Sequence, residues 1–278
     1  MEKILFASDL DNTLMFSHKY RGETDQCVEW LDGREQGFCT RRSLELLALV
    51  GQRTLFVPVT SRSVEQYRRI RWPSPCLPRY AVTSNGGVLL EGDREDLAWR
   101  AGSEELTAPW REELAELEAR LGEVPIPKRF RMVDGLYLFA ACDDKESARQ
   151  LGDLFEGRTT VDVAVSGRKV YFFPPPLNKG EALRRLQERF QPDRTVCAGD
   201  SVIDVPMLRA ADRAIVPGED LMEEGPNRLV HSGAGPFPDF VLESVLNFTR
   251  SGGYGDVQAA GGRWGSIPVG DAGDPGRK

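Results

Sequence analysis

Histidine is almost missing from this sequence. Only His18 and His231 occur in 278 residues, which argues against a mechanism built on a histidine base. Cysteine is sparse as well. Cys27, Cys39, Cys76, Cys142 and Cys197 form no C-x-x-C pair and their number is odd, so reduced, structural thiols are expected rather than a disulfide framework. A zinc site around Cys27 and Cys39 lacks further ligands apart from His18. No apolar run approaches the about 20 residues that a membrane span needs. No G-x-G-x-x-G follows the first strand-like run, which disfavours a dinucleotide-dependent dehydrogenase. Basic residues are outnumbered, 36 against 43, for a net charge of -7. Nucleic acid and anionic membrane both require a basic face, so neither is an expected partner. With Met1-Glu2-Lys3 leading straight into a short strand and no signal peptide, the expected location is cytoplasmic.

Against these absences stand four short segments in a fixed order: Asp9-Leu10-Asp11-Asn12-Thr13, Val59-Thr60-Ser61-Arg62, Asn178-Lys179-Gly180, and Gly199-Asp200-Ser201 with Asp204 following. Each lies where an apolar, strand-like run gives way to polar residues or a helix. Singly they are weak signals. A D-x-D can be a turn, Thr60 an ordinary strand-end residue, Lys179 a solvated lysine and Asp204 a helix cap. Asp9 does not open a calcium-binding EF-hand loop, because Leu14 and Tyr20 stand where glycine and glutamate are required. Together, carboxylates, a hydroxyl and a lysine on successive strand ends make a site for phosphate and magnesium.

The chain reads as an α/β protein. Lys3–Ser8, Thr54–Val59 and Tyr80–Thr83 are apolar runs fit for buried strands, with helices over Arg41–Val50 (N-cap Thr40) and Ser63–Arg71 between them. The segment Phe16–Thr40 reads as a hairpin turning at Asp32-Gly33. This alternation implies a doubly wound parallel sheet with ligands at the carboxyl ends of its strands. The rhythm then changes. A charged helix over Glu104–Leu121 is followed by strands flanking Asp134-Gly135, a helix over Lys145–Phe155, and a strand pair turning at Ser166-Gly167-Arg168. These predict a smaller α+β domain inserted into the parallel pattern, with Pro174-Pro175-Pro176 as a stiff return. From Lys179 the parallel pattern resumes, ending in a helix over Phe237–Thr249. The expected division is a discontinuous core at 1–87 and 175–250, an inserted domain at 88–174, and a glycine-rich tail at 251–278 anchored by Trp264.

A carboxylate ending the first strand can attack phosphorus, and Asp11, two residues on, can protonate a leaving oxygen and later activate water. Lys179 at a helix start combines its ammonium with free backbone N–H groups, a setting that favours anions. Asp200 and Asp204 can point at one cation. Magnesium keeps several waters, so few protein carboxylates suffice.

The four segments and their order resemble the haloacid dehalogenase superfamily of phosphatases over about the first 250 residues. The resemblance implies Asp9 as nucleophile and Asp11 as general acid/base. It implies Thr60 and Lys179 on the phosphate, with Ser61, Arg62 and Asn85 as further substrate-side candidates. It also implies Mg²⁺ bound by Asp9, Asp11 (through its carbonyl), Asp200 and Asp204. The insert's position resembles the subgroup of Cof-type sugar phosphatases, sucrose-phosphate phosphatase, mannosyl-phosphoglycerate phosphatase and phosphomannomutase, where it is a cap that closes over the site and selects the substrate. Two positions depart from the pattern. Ile203 replaces an asparagine, whose hydrogen bond is lost or supplied by Ser201, and Ser61 replaces a glycine. On the cap, alternation places Arg129 and Arg131 on one strand face opposite Phe130 and Met132, and Lys128, Arg168 and Lys169 are further candidates. The expectation is therefore a Mg²⁺-dependent phosphatase acting through an aspartyl-phosphate on a small phosphate ester, most plausibly a sugar phosphate, as a monomer or weak homo-oligomer. A phosphomutase shares every group named, and a regulatory module on the same fold is the more distant rival.

Overall fold

The computed structural model describes residues 2–250; the expected tail and its Trp264 lie outside them. The chain opens with β1 (Ile4–Ser8) and a small antiparallel sheet of β2 (Phe16–Ser17), β3 (Gln26–Leu31) and β4 (Arg34–Cys39). Helix α1 (Arg41–Gly51), capped by the Thr40 hydroxyl on Ser43 N, leads to β5 (Leu55–Pro58) and a short α2 (Val64–Arg68). Then come β6 (Tyr80–Thr83), β7 (Val88–Glu91), β8 (Arg94–Glu95), α3 (Leu97–Thr107) and α4 (Arg111–Glu123). The insert's sheet is built from β9 (Lys128–Val133) and β10 (Tyr137–Cys142), then α5 (Lys145–Phe155), then β11 (Asp162–Ser166) and β12 (Lys169–Phe173). The chain returns through α6 (Lys179–Phe190), β13 (Arg194–Ala198), α7 (Val205–Arg209), β14 (Arg213–Val216), β15 (Arg228–Val230) and α8 (Phe237–Arg250).

Five strands form the parallel sheet, in the order β15-β14-β13-β1-β5. Its two faces follow from strand alternation. Ile4 and Phe6 of β1 join one apolar cluster with α1 and α8, while Leu5 and Ala7 join another with α6, α7 and Trp99 of α3. In the register Ser8 lies opposite Ala198 on one side and Pro58 on the other. The segments that follow these three residues therefore emerge at one level on the carboxyl edge. That register turns three distant motifs into neighbours.

The insert is a four-stranded antiparallel sheet, β11-β12-β10-β9. Leu138, Ala140, Val170 and Phe172 pack one face against α4 and α5. Tyr137, Phe139, Tyr171 and Phe173 lie on the other face and join the cluster that runs into the core. The parallel core and α+β cap foreseen from the sequence are thus present.

Three details differ from the sequence expectation. The single helix expected over Glu104–Leu121 is two helices, divided at Ala108–Trp110, where Pro109 cannot supply an N–H. Three short strands, β7, β8 and β15, are absent from the sequence expectation; β15 has only three residues. Finally, residue 88 begins β7, which pairs with β6, and Leu89 and Trp99 pack with core residues. The expected boundary at 87/88 falls inside a hairpin, and the insert's own sheet starts only at Lys128.

Candidate active site

Asp9 follows β1 at the carboxyl edge and is buried, with its backbone N–H donating to the Ala198 carbonyl of β13. Lys179, the first residue of α6, is 1% exposed. Its ammonium donates to Asp9 Oδ1 and to Asp204 Oδ1, each at 2.5 Å. A buried lysine needs such partners, since an unpaired charge there would be far more costly than the pair. Burial disfavours the charged ammonium, but Asp204 and Asp9 overcome this and hold it protonated.

Asp204 is completely buried and its second oxygen is fully engaged. Oδ2 accepts from Asp200 N, Ser201 N and Ser201 Oγ. Ser201 thus supplies the side-chain hydrogen bond that Ile203 cannot, while Ile203 itself packs against the core. The turn depends on Gly199. A Cβ there would stand 2.4 Å from Asp204 Cβ, a distance at which something must move.

Asp9, Asp200 and Asp204 each offer a carboxylate oxygen, all within 4.8 Å of one another. Burial pushes Asp9 up to about 8 despite Lys179, with Asp204, Asp200 and Asp11 adding to the rise. Burial, then Asp204, raise Asp200 to about 6. Carboxylates crowded to the point of holding protons are a donor set that a hard divalent cation would relieve, because oxygen ligands suit such ions. The residues fit Mg²⁺ on these grounds. Asp204 has the fewest oxygens to spare, and the side chain of Asp11 lies outside this group.

Asp11 is bound elsewhere. Arg62 grips it with two parallel hydrogen bonds, Nε to Oδ2 at 2.8 Å and Nη2 to Oδ1 at 2.7 Å. Two further guanidinium hydrogen bonds go to Glu29 of β3, at 2.8 and 2.9 Å, and a longer one goes from Nη1 to the Gln66 carbonyl at 3.5 Å. Burial would raise Asp11, but Arg62 dominates and holds it well below the usual carboxylate range. Arg62, expected on the phosphate side, is therefore an organiser of the two acids in this arrangement.

Thr60 is buried with its hydroxyl accepting from Arg62 N at 3.2 Å. Ser61 presents its carbonyl to the Tyr137 hydroxyl of the cap at 2.5 Å. Asn85 takes a left-handed backbone (φ 57) and links motifs: its N–H donates to the Thr60 carbonyl and its side-chain amide to the Leu177 carbonyl, just before Lys179. The six candidates from the first three segments, Asp9, Asp11, Thr60, Ser61, Arg62 and Lys179, thus lie with Asn85 in one connected region.

Sequence reasoning missed four contributors. Glu29 is a buried acid in the hairpin, flanked by Val28 and Trp30; a charge inside an apolar strand was the available signal. Asp134, at the tip of the β9–β10 turn, accepts from Val64 N at 3.0 Å and from the Ser84 hydroxyl. Tyr137 and Tyr171 face the core from the cap, and nothing in their local sequence gives their direction. Lys169 of β12, a foreseen candidate, has its proton affinity raised by Tyr171, then Asp11 and Asp9, against burial.

A cluster of acids around a lysine does not by itself name a reaction. Its placement does: acids and a hydroxyl beyond the carboxyl ends of β1, β5 and β13 and a lysine at a helix start, roofed by an inserted domain, are the organisation of haloacid dehalogenase-type hydrolases, and the protein is one of them. A family model described as Sucrose-6F-phosphate phosphohydrolase matches residues 2–228, and the chain belongs to that family. It is accordingly a phosphatase. No curated protein sequence matches the chain.

Among solved structures, a sucrose-phosphatase from Synechocystis sp., in complex with sucrose and phosphate, shares 19% identity over 89% of this chain and 98% of its own, with a TM-score of 0.61. A trehalose-6-phosphate phosphatase from Aspergillus fumigatus shares 17% over 90% and 94%, TM-score 0.52. A Thermoplasma acidophilum protein shares 12% over 90% and 99%, TM-score 0.56. At these identities the likeness is one of fold.

Proposed function

We propose that the protein is a Mg²⁺-dependent phosphatase that hydrolyses a small sugar phosphate through an aspartyl-phosphate. The observation that carries this reading is the buried strand-end Asp9, held on one oxygen by Lys179 and set within 4.8 Å of Asp200 and Asp204. An oxygen of Asp9 attacks phosphorus as the bond to the sugar oxygen breaks, and Asp11 gives that departing oxygen its proton. Water then attacks phosphorus, Asp11 takes the water's proton, and the bond to Asp9 breaks, releasing phosphate and restoring the carboxylate. Thr60, Ser61 and Lys179 receive the phosphoryl oxygens, and Asn85 keeps their loops together. Asp9, Asp200 and the Asp11 carbonyl, backed by Asp204, would hold the cation, which supplies positive charge against the phosphate oxygens when bound.

The Arg62 pair keeps Asp11 ionised, the form required of a base. To act as an acid Asp11 must leave Arg62 and gain a proton, so Arg62 governs when the acid half can proceed. The cap closes over these groups through Tyr137 and Asp134, and a closing cap excludes water from a reaction that otherwise needs up to about 10²¹-fold acceleration. Among the described residues no helix is long and apolar enough to cross a membrane. The sugar phosphate reading draws on the family description and on the sucrose and trehalose phosphatases of similar fold.

The test is phosphate release from a sugar phosphate panel, including sucrose 6-phosphate and trehalose 6-phosphate, with Mg²⁺ and with EDTA, beside Asp9→Asn. Release that needs metal and falls more than about a hundredfold in the variant is expected. A variant retaining more than about a hundredth of the rate would sink the nucleophile assignment. An isomerised sugar phosphate in place of free phosphate would mark a mutase.

A further inference from the structure

A cavity of roughly 390 Å³ opens between α2 of the core and strands β9 and β10 of the cap, lined by Arg69, Arg129 and Arg131 with Glu65, Gln66 and Phe139. Three guanidinium groups against one carboxylate leave a net positive recess in a protein whose overall charge is -7. Arg129 and Arg131 are not consumed by structure: their guanidinium groups make no ion pair or hydrogen bond among the described residues. Arg69 has a buried Nε with no hydrogen-bond partner, standing 3.8 Å from Glu29 Oε1. Buried guanidinium donors are rarely left unmatched, and arginine is suited to planar, two-pronged recognition of carboxylate and phosphate. The register sets Arg131 across from Phe139 and Arg129 across from Ala141, so both arginines share the sheet face that looks at the core.

The cavity also adjoins the catalytic groups. Gln66 in its wall offers its carbonyl to Arg62 Nη1 at 3.5 Å, and Arg62 is the residue that clasps Asp11. Arg69 shares Glu29 with Arg62. One side chain therefore separates the recess from the acid pair.

We propose that this recess receives a second anionic group of the substrate, a carboxylate or a further phosphate, while the scissile phosphate lies at Asp9. The preferred substrate is then a sugar phosphate or sugar-acid phosphate carrying two separated anions, rather than one whose far end is neutral. This rests on the phosphatase reading for its first anion only.

The test uses a matched pair of open chains, glucitol 6-phosphate and 6-phosphogluconate, which differ only in a carboxylate in place of a hydroxymethyl group at the far end. Binding to the full chain is measured by calorimetry in EDTA, so turnover does not enter. The expected result is tighter binding of 6-phosphogluconate by about tenfold or more, the scale of a hydrogen bond to a charged group, and collapse of that preference in an Arg129→Ala/Arg131→Ala variant. Circular dichroism melting of the variant checks that it remains folded. Equal affinities in the wild type, or a preference that survives the double substitution, would overturn the proposal. Gluconate alone binding at the arginines and changing para-nitrophenyl phosphate turnover would also overturn it, since the anion would then be a separate effector. Because binding is read without metal, failure here is distinct from failure of the phosphatase reading, which would show as absent Mg²⁺-dependent release from every ester.

Discussion

The two walls of the active site hold their charges in different ways. On the core wall Asp9, Asp11, Glu29, Arg62, Lys179 and Asp204 are each fixed by an oppositely charged side chain. Lys179 bridges Asp9 and Asp204, Arg62 bridges Asp11 and Glu29, and Asp204 gathers three donors from its own turn. On the cap wall Arg129 and Arg131 make no ion pair among the described residues, and polar links to the core include one hydrogen bond from Tyr137 to the Ser61 carbonyl and two accepted by Asp134, from Val64 N and the Ser84 hydroxyl. The core wall is preorganised, as a group that must meet a transition state has to be. The cap wall keeps its donors available for a ligand. Substitutions on the first wall should remove activity and stability together, and substitutions on the second should mainly move affinity.

The largest effect should come from Lys179→Met. Removing one member of a buried ion network leaves Asp9 and Asp204 without their cation, a loss of about 3–5 kcal/mol, and turnover should vanish as well. Urea denaturation beside a phosphate-release assay checks both. A variant that melts like the wild type would break the comparison, because the core wall would then not be held by this lysine.

Next comes the cation. Mg²⁺ at a hundred times its dissociation constant should stabilise the wild type by about 2.7 kcal/mol, and EDTA should reverse this. Asp200→Asn should lose most of the gain, as read by thermal melts across a metal titration. Equal stabilisation of both proteins would remove Asp200 from the cation's ligands.

The Arg62 pair gives a smaller effect with a definite sign. Asp11 is depressed by Arg62, so the pair's contribution is fully present above the ordinary carboxylate value of about 4 and is lost only as pH falls through the depressed one. With 40% of the Asp11 side chain in solvent, its contribution to stability is modest. In Arg62→Gln the largest opposing charge is gone and only Lys169 and Lys179 still counter burial, so Asp11 rises and the acid limb of the rate–pH profile should move upward by about one unit or more. A limb that stays in place would assign the base elsewhere.

The smallest effect is expected from Tyr137→Phe, which deletes one hydrogen bond across the walls. About 1 kcal/mol of stability should be lost, together with a raised KM as the cap closes less firmly. A change in kcat alone would instead mean that Tyr137 touches the reacting groups.

Most of the core wall was legible in the sequence because each residue belongs to a local motif at the end of an apolar run. Asp9, Thr60, Lys179 and Asp200 could be placed by strand alternation and helix starts without knowing any distant contact. Glu29 could not, since its value comes from meeting Arg62, 33 residues away in sequence. Asp134 marked a tight turn correctly, but its reach to Val64 and Ser84 is a property of how the cap sits on the core. Pro109, which has no N–H to donate, divides the charged stretch Glu104–Leu121 into two helices, although the polar periodicity on either side of it reads as one. The strand at Arg228–Val230 is too short for periodicity to register.

The placement of the insert bears on how the chain is made. Strand β1 lies between β5 and β13 in the finished sheet, and β13 ends at residue 198. During synthesis from the amino terminus, β1 therefore waits beside one neighbour while the whole cap is translated, with its other edge unpaired. At about 5–20 residues per second that wait is on the order of ten seconds or more. An apolar strand edge left open is a template for pairing with another chain. Strand β1, which leads into Asp9, is also the strand of the parallel sheet whose completion comes latest relative to its own synthesis, so the yield of folded enzyme should depend on what shields residues 4 to 8 until residue 198 arrives.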